Sequence, residues 1–527
     1  MLQLLSLFSL PLWVILVVVM VIALYMYGTQ SHSTWKQLGI PGPAPLPYLG
    51  NAHEIKRLGM AEAFRLWREQ YGPVVGVYFM RRPMLLISDI NMLKHILVSD
   101  FHNFTNRGSP IPKAFMDDVF QGCLLFVEGE EWKRLRGILT PIFTAARLRE
   151  KTLFINKASQ KAVRTLLEAA NNRESVPIDE IFRTFTIDVI LGTLLSVDPD
   201  GNAAAIELFR EHVPKMIRPS PFRLKMFLLS GMFPFLSSVL GKVADESKEA
   251  RQFYVSFISQ MAEKRRGAAE GTYKDFLENM AEAETEDSSV TRTKLTFKEL
   301  VSQASLFFLA GNDTSSLVLT VLAYLLARHQ GIQDRLVEEI HKELGDDMDA
   351  DDFEVSRGGK VHPRLNYDSI QKLTLLKACI LEALRLHPVI SVFTRQSLQS
   401  TEIAGYPIPA GAGVYVPVKT ICSDPDLFPD PEVFKPERFL KGHPENQVLE
   451  STGAGLAMFL PFGLGPRSCI GMRLGLYQIM MVMAEVLRKV RFVSAPGEFK
   501  LPRAVMFGIP PFKEPVMVEV EAREKRS

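Results

Sequence analysis

The stretch "FGLGPRSCIG", Phe462 to Gly471, decides the reading of this chain. It holds one of four cysteines in 527 residues, with three glycines, a proline and an arginine around it. A thiolate is the strong ligand that Cys469 can offer. Gly465 and Gly471 lack a Cβ, so the backbone can fold sharply there and come close to something flat. Backbone N–H groups left that bare can donate to the sulfur and tune whatever metal it holds. Arg467 adds a permanent cation suited to a carboxylate. Gly463-Leu-Gly465 opens like the nucleotide fingerprint GxGxxG, but Pro466 follows and Ser468 stands in the last glycine's place.

The rest of the composition narrows the chemistry. Cys123, Cys379 and Cys422 form no CxxC pair with Cys469 or with one another, which argues against a disulfide scaffold and a zinc ribbon and suits a reducing compartment. There are 61 basic and 59 acidic side chains, so the totals give no reason to expect nucleic acid, and 47% hydrophobic residues can bury a large core. No repeat of a solenoid's period is visible. The acidic run Asp346 to Asp352 lacks the glycine and final glutamate of a calcium loop and reads as surface.

The amino terminus is of another kind. Residues 4–27 carry no charge, and roughly 20 residues cross the hydrocarbon core. The run is too long for a signal-peptide core and no basic segment precedes it, so a retained anchor is expected over 1–28. Lys36, Lys56 and Arg57 follow it, which by the positive-inside rule leaves the body in the cytosol. There the sequons at Asn103 and Asn312 would be silent. Residues 29–51 include "GIPGPAPLPYLGN", whose four prolines fix φ and predict a stiff connector. A second apolar stretch, Met226 to Gly241, is broken by Gly231 and Pro234 and is too short to span. It reads either as a buried core helix or as a surface segment dipped into one leaflet, rimmed by Arg218, Arg223 and Lys225.

The body, 52–527, reads mostly as helices. The longest, Phe297 to His329, is apolar on nearly every face and should run through the centre. Others are expected near 61–71, 130–143, 147–169, 178–195, 242–266, 330–344, 371–387 and 470–490. Strand-like runs lie near Val74, near Pro83 and from Thr401, with coil over 423–461 and a solvated loop over 281–294.

The cysteine stretch resembles the haem-binding signature of the cytochrome P450 family, F-x-x-G-x-R-x-C-x-G, through Phe462, Gly465, Arg467, Cys469 and Gly471. Four further patterns agree in the family's order. Trp132 and Arg136 form W-x-x-x-R, Ala310-Gly-Asn-Asp313-Thr314 matches A-G-x-D/E-T, Glu382 and Arg385 form E-x-x-R, and Pro436 to Phe439 is P-E-R-F. "LGIPGPAPLPYLGN", "FTNR", "EWKRLRGILTPIFT" and "PRSCIGMRLGL" look like the animal microsomal family 3 branch, near the thromboxane-synthase branch.

The resemblance implies a mainly α fold with small β-sheets: one large cytochrome P450 haem-thiolate domain behind an N-terminal transmembrane anchor. It implies haem b with Cys469 as the axial thiolate, favouring O–O cleavage. No CxxCH is present, so the haem would be held without covalent attachment. Arg107, Trp132, Arg136, Arg395 and Arg467 would hold its carboxylates, with Ala310, Phe462 and Gly471 also against the cofactor. Asp313 and Thr314 would relay protons, Thr314 bonding backward to open the helix ladder. Glu382, Arg385 and Arg438 would form a structural network. A lining of Leu309, Ala310, Ile390, Phe393 and the loop Phe115 to Leu125 would suit an apolar substrate.

Electrons would come from NADPH through cytochrome P450 reductase, with cytochrome b5 as a second donor, because the chain has no flavin or nicotinamide fingerprint. A basic face of Lys133, Arg134, Arg136, Arg147, Arg149 and Lys151 would attract the acidic partner. The expected activity is monooxygenation at the endoplasmic reticulum membrane, by a single-pass protein facing the cytosol. A lipid-peroxide isomerase or lyase and a non-catalytic haem ligand-binding protein are the alternatives, and the Asp313–Thr314 pair favours the first reading.

Overall fold

The computed structural model describes residues 11–108, 112–116, 118–197, 220–244, 248–266, 269, 272–283, 294–345, 353–355, 361–363, 365–451, 460–495, 512 and 514–524. The acidic run 346–352 and most of the loop 281–294 lie outside them. The chain is mostly helical with small sheets and divides into two compact units. The first comprises Met1–Phe115, Pro221–Ala244 and Val392–Pro417; the second comprises Met116–Ser220, Asp245–Ser391 and Val418–Ser527.

In the first unit, an apolar helix spans Leu12–Thr29, with only Gly28 of its residues buried. Its exit is fixed to the body. Tyr48 donates from its hydroxyl to the Leu24 carbonyl at 2.5 Å, and the Arg81 guanidinium lies 3.6 Å over the Tyr27 ring. The proline-rich stretch behind it is stiff because it is packed as well as because of its prolines. Trp35 is buried and donates from Nε1 to the Val77 carbonyl at 3.0 Å. The Gly76 amide donates to the Pro41 carbonyl at 2.8 Å, and a Cβ on Gly42 would stand 1.9 Å from the Gly76 oxygen, so only glycine fits there.

These contacts fasten the stretch to a four-stranded sheet of β1 (Val74–Phe79), β2 (Arg82–Ile87), β3 (Phe393–Gln396) and β4 (Gly413–Val416), in the order β1-β2-β4-β3. β1 pairs antiparallel with β2, Val77 facing Met84. The β2–β4 pair is parallel and the β3–β4 pair antiparallel, with Arg395 facing Val414. β1 is buried along its whole length, and its continuous apolar run fits burial on both faces.

The second apolar stretch matches neither reading alone. A helix over Pro221–Met232 ends at Phe233, a single turn of 3-10 helix covers Pro234–Leu236, and a short helix follows over Ser237–Val243. One side packs inward: Phe227 is buried edge-on to Phe115, and Phe233 stacks on Tyr27 with ring planes 7° apart. The other side faces out, with Phe235 73%, Val239 61% and Val243 60% exposed.

The second unit is built round the helix Phe297–Arg328. Thr296 and Glu299 cap its start reciprocally, each side chain accepting from the other's backbone amide. Helices over Ile178–Leu195, Gln330–Leu344, Thr374–Leu386 and Met472–Lys489 pack in the same unit. The helix expected over 147–169 is instead two, Ala145–Arg149 and Thr152–Asn172, because the chain turns at Lys151 to bury that side chain against Asn279. A three-stranded sheet joins Ser175–Pro177, Val490–Ser494 and Met517–Ala522, and none of those strands is visible in the local sequence pattern.

Candidate active site

The thiol loop begins after a 3-10 turn at Leu460–Phe462. Gly463 and Gly465 both take positive φ, 77° and 73°, which a side chain disfavours. The two turns close the loop on itself: the Cys469 amide donates to the Phe462 carbonyl at 2.7 Å and the Ser468 amide to the Gly465 carbonyl at 3.0 Å. The other three cysteines are buried, and Cys469 alone is exposed. Gly471 caps the helix Met472–Lys489 at φ −86° and ψ 6°, a conformation open to any residue, and a Cβ there would meet no protein atom within 4 Å. Packing within the protein therefore gives no reason for glycine at that position.

Cations gather at this loop. Arg467 is buried, its guanidinium 4.5 Å over the Trp132 ring while Nη2 donates to the Val127 carbonyl at 2.7 Å. Arg136, one turn after Trp132 on the helix Gly129–Leu139, donates from Nη1 to the Ser468 carbonyl at 3.0 Å. Burial pulls the proton affinity of Arg136 down, and the neighbouring Cys469 opposes that. Trp132, Arg136, Arg467 and Cys469 are thus brought together in one unit. Arg107 and Arg395 belong to the other unit, where Asn106 bridges Gln396 and sets both arginines at the outer edge of the four-stranded sheet. Arg395 is 1% exposed and donates to the Thr394 carbonyl at 2.8 Å.

These residues fit haem b. Among the described residues no three His, Cys, Asp or Glu side chains gather as a metal set. A single thiolate at an iron then needs a macrocycle to supply the other ligands, and the half-buried Arg136 and buried Arg467 beside the thiol suit the carboxylates such a macrocycle carries.

On the central helix, Thr314 donates from Oγ1 to the Ala310 carbonyl at 2.8 Å, the backward bond expected. The helix nevertheless runs on without a break in its assignment from Phe297 to Arg328. Gly311 has a packing role instead: a Cβ there would lie 2.8 Å from Cδ1 of Ile190. Asp313 and Thr314 are half-buried, Ala310 is exposed, and Asn312 is too deeply buried for its sequon to be reached. Ser315 accepts from Gln478 at 2.6 Å, which ties this helix to the one that follows Cys469.

Glu382, Arg385 and Arg438 meet with almost no exposure. Arg385 binds Glu382 through two bonds of 2.8 and 2.9 Å, Arg438 reaches the same carboxylate at 3.1 Å, and the Lys435 amide adds a bond of 2.9 Å. Arg385 also donates to the Cys422 carbonyl at 2.8 Å, tying the helix Thr374–Leu386 to the end of the short helix Val418–Cys422. Sequence reasoning missed Glu445, which pairs with both Arg438 and Lys435 and carries no motif of its own. It also missed Glu299, although T-x-x-E before an apolar run was there to be read.

The expected basic face is largely absent. Arg134 is buried between Glu131 and Glu299, Lys151 is buried, and Arg136 turns to Ser468. Lys133, Arg147 and Arg149 do reach solvent, but each faces an acid: Glu130, Glu150 and Asp368. Counting charges in sequence could not reveal that their neighbours neutralise them.

A sequence model of the family described as cytochrome P450 matches residues 40–514, through both units. The chain is 34% identical over 522 residues to cytochrome P450 3A29 of Sus scrofa, covering 98% of each chain. It is 32% identical over 522 residues to cytochrome P450 3A9 of Rattus norvegicus, again 98% of each, and 32% over 518 residues to cytochrome P450 3A7 of Homo sapiens, 97% of each. With the family pattern running nearly end to end, this chain belongs to the cytochrome P450 family and is a haem b monooxygenase with a cysteine thiolate on the iron.

Proposed function

We propose that Cys469 is the axial thiolate and that the chain inserts one atom of dioxygen into an apolar substrate (a steroid, lipid or xenobiotic), drawing NADPH electrons through cytochrome P450 reductase with cytochrome b5 as a second donor. The observation that carries the assignment is the exposed Cys469 in a closed loop, beside the half-buried Arg136 and the buried Arg467. When bound, the haem supplies the oxygen-activating chemistry. Trp132, Arg136 and Arg467 hold its carboxylates on this side, and Phe462 and Gly471 offer it the bare loop. The resemblance alone assigns Arg107 and Arg395 to the same carboxylates and Ala310 to the cofactor's distal face. Asp313 and Thr314 carry protons, an acid beside an alcohol on one helix. Glu382, Arg385 and Arg438 lock the chain that leads to the thiol loop.

Residues 1–28 serve as the single membrane anchor, 29–51 as the connector and 52–527 as the catalytic domain, facing the cytosol at the endoplasmic reticulum. The mean hydropathy of 2.4 over Leu12–Thr29 and the outward side of 221–243 support a body held against lipid, where apolar substrates concentrate. With 61 basic and 59 acidic side chains, nucleic acid is not among the proposed partners.

Cys469→Ser tests the central assignment. The variant is expected to lose the reduced carbonyl spectrum of a thiolate-ligated haem, and an unchanged spectrum would remove the assignment. Thr314→Ala is expected to keep haem and to spend NADPH electrons and protons on reducing dioxygen to hydrogen peroxide instead of forming product. Unchanged coupling in that variant would place proton delivery elsewhere.

A further inference from the structure

We propose that the exit of the N-terminal helix carries a binding seat for acidic phospholipids of the membrane it enters, with the Arg81 guanidinium taking the lipid phosphate. This rests on the reading of Leu12–Thr29 as the membrane anchor and concerns which lipids gather where it leaves the bilayer.

Three segments of the first unit meet at that exit. They are the anchor with its connector (residues 12–51), the β1–β2 pair (74–88) and the apolar stretch 221–244. Tyr27 stacks on Phe233 with ring centroids 6.3 Å apart, and Tyr48 lies 5.4 Å from the same Phe233 ring. A Cβ on Gly28 would stand 2.6 Å from the Tyr48 ring, and one on Gly231 would stand 3.0 Å from Cγ of Met80. The Ser31 hydroxyl donates to the Arg81 carbonyl.

These segments hold no Asp or Glu, although 59 of the 527 residues are acidic. They do hold six permanent cations: Lys36, Arg81, Arg82, Arg223, Lys225 and Lys242. Arg82 and Arg223 donate to the Gly108 and Phe115 carbonyls at 3.2 and 2.8 Å. The other four pair with no carboxylate of the described residues, and Lys36, Lys225 and Lys242 are exposed. That is the reverse of Lys133, Arg147 and Arg149, each of which has an acid opposite.

Arg81 is the cation held in place. Its guanidinium lies 3.6 Å over the Tyr27 ring, Nη2 donates to Oε1 of Gln30 at 3.3 Å, and Nε is buried with no hydrogen-bond partner. The group is thus laid flat at the end of the anchor, half-buried and with no counter-ion among the described residues. A planar guanidinium suits a phosphate, and the Nη1 edge is the one left to meet it. A partly buried charge is costly unless paired, so a phosphate there would offset a cost as well as hold the lipid. Phosphate is common to all phospholipids, and the three lysines add the preference for a headgroup of net negative charge. Val239 and Val243, exposed beside Lys242 in the chain, add apolar contact with the same leaflet.

The test uses the full-length holoenzyme in phosphatidylcholine vesicles with a trace of spin-labelled phosphatidylserine or spin-labelled phosphatidylcholine. The immobilised fraction of each probe reads how often its headgroup sits against the protein. At 0.1 M salt the wild type is expected to favour the serine lipid about fivefold, the effect of roughly one favourable charge contact at a membrane surface. The preference should fade at 1 M salt, where screening acts within about 3 Å. Arg81→Gln is expected to lower it to about twofold, and so is Lys225→Gln with Lys242→Gln, each removing part of the same attraction. The three changes together should abolish it, and Arg81→Lys should keep most of it. The lysine pair is exposed, so that variant reports even if Arg81→Gln disturbs the fold. Glycerophosphoserine, the headgroup without chains, is expected to release no labelled lipid, and release would mean a site for soluble phosphate esters instead. If alkaline extraction frees the wild type from the vesicles, the anchor reading fails and the seat fails with it. If the protein stays in the membrane but holds both probes alike, or keeps its preference in the triple variant, the anchor stands and the seat is wrong.

Discussion

Among the described residues, two helices are long and apolar enough to cross a membrane, and they live in opposite surroundings. The helix Leu12–Thr29 has a mean hydropathy of 2.4 with 6% of its residues buried, while the most apolar 18 residues within Phe297–Arg328 average 1.5 with 67% of them buried. Hydropathy ranks the anchor higher, but the decisive difference is where the polar groups sit. The N-terminal helix has none of consequence before Thr29, so its faces up to there are apolar. The central helix gathers Asn312, Asp313, Thr314, Ser315 and Ser316 in a single turn and a half, and gives them partners from Thr186 and Gln478. A polar cluster of that kind in lipid would be expensive, and in a protein interior it marks a place of work.

The sharpest way to break this contrast is to put the same charge into each helix. Leu322 is fully buried on the central helix. Leu322→Lys should remove about 4 kcal/mol or more of stability, because nothing there can pair a buried cation. The expected result is little haem-loaded protein, or a large fall in melting temperature. Leu322→Ala, expected to lose about 2–5 kcal/mol, gives a measurable intermediate. Full stability of the lysine variant would mean that the central helix is not packed as described.

Val18→Lys makes the matching change in the anchor, where Val18 is 49% exposed. The body should keep its melting temperature and spectrum. Membrane insertion should weaken by about 3 kcal/mol, roughly a hundredfold in partition, the cost of a lysine at mid-helix. Alkaline extraction of membranes reads this as protein released to the supernatant. Retention equal to wild type would show that Leu12–Thr29 is not what holds the protein to membranes.

The contrast also explains what sequence could and could not deliver. Helices over Ile178–Leu195 and Gln330–Leu344 fall where their apolar period places them, because a 3.6-residue repeat is local information. The break at Lys151 has no glycine or proline to announce it. It exists because a lysine is drawn inward to partners more than a hundred residues away. The strand Phe393–Gln396 has no signal in sequence because four residues carry no period, and it is a strand only through its pairing with Gly413–Val416. The thiol loop was legible through its spacing. The fate of Arg134 was not, since its position depends on Glu299, which lies on another helix.

The smallest effect should come from the second apolar stretch, and it separates two phenylalanines that look alike in sequence. Phe227 is 8% exposed and packed edge-on to Phe115, whereas Phe235 is 73% exposed on the outward side. A chain lacking residues 1–28 should still float with liposomes through Phe235, Leu236, Val239 and Val243, and should do so reversibly. Phe235→Ser in that chain removes one exposed side chain from lipid contact. At about 1.5–2 kcal/mol for a large apolar group, the partition coefficient should fall roughly ten- to thirtyfold while thermal stability stays level. Phe227→Ser should do the reverse, lowering thermal stability by about 3 kcal/mol through the cavity it leaves with little change in flotation per folded molecule. Flotation that responds equally to both substitutions, or to neither, would mean that the outward side of 221–243 is not a lipid contact, and the route of an apolar substrate into the enzyme would have to begin in water.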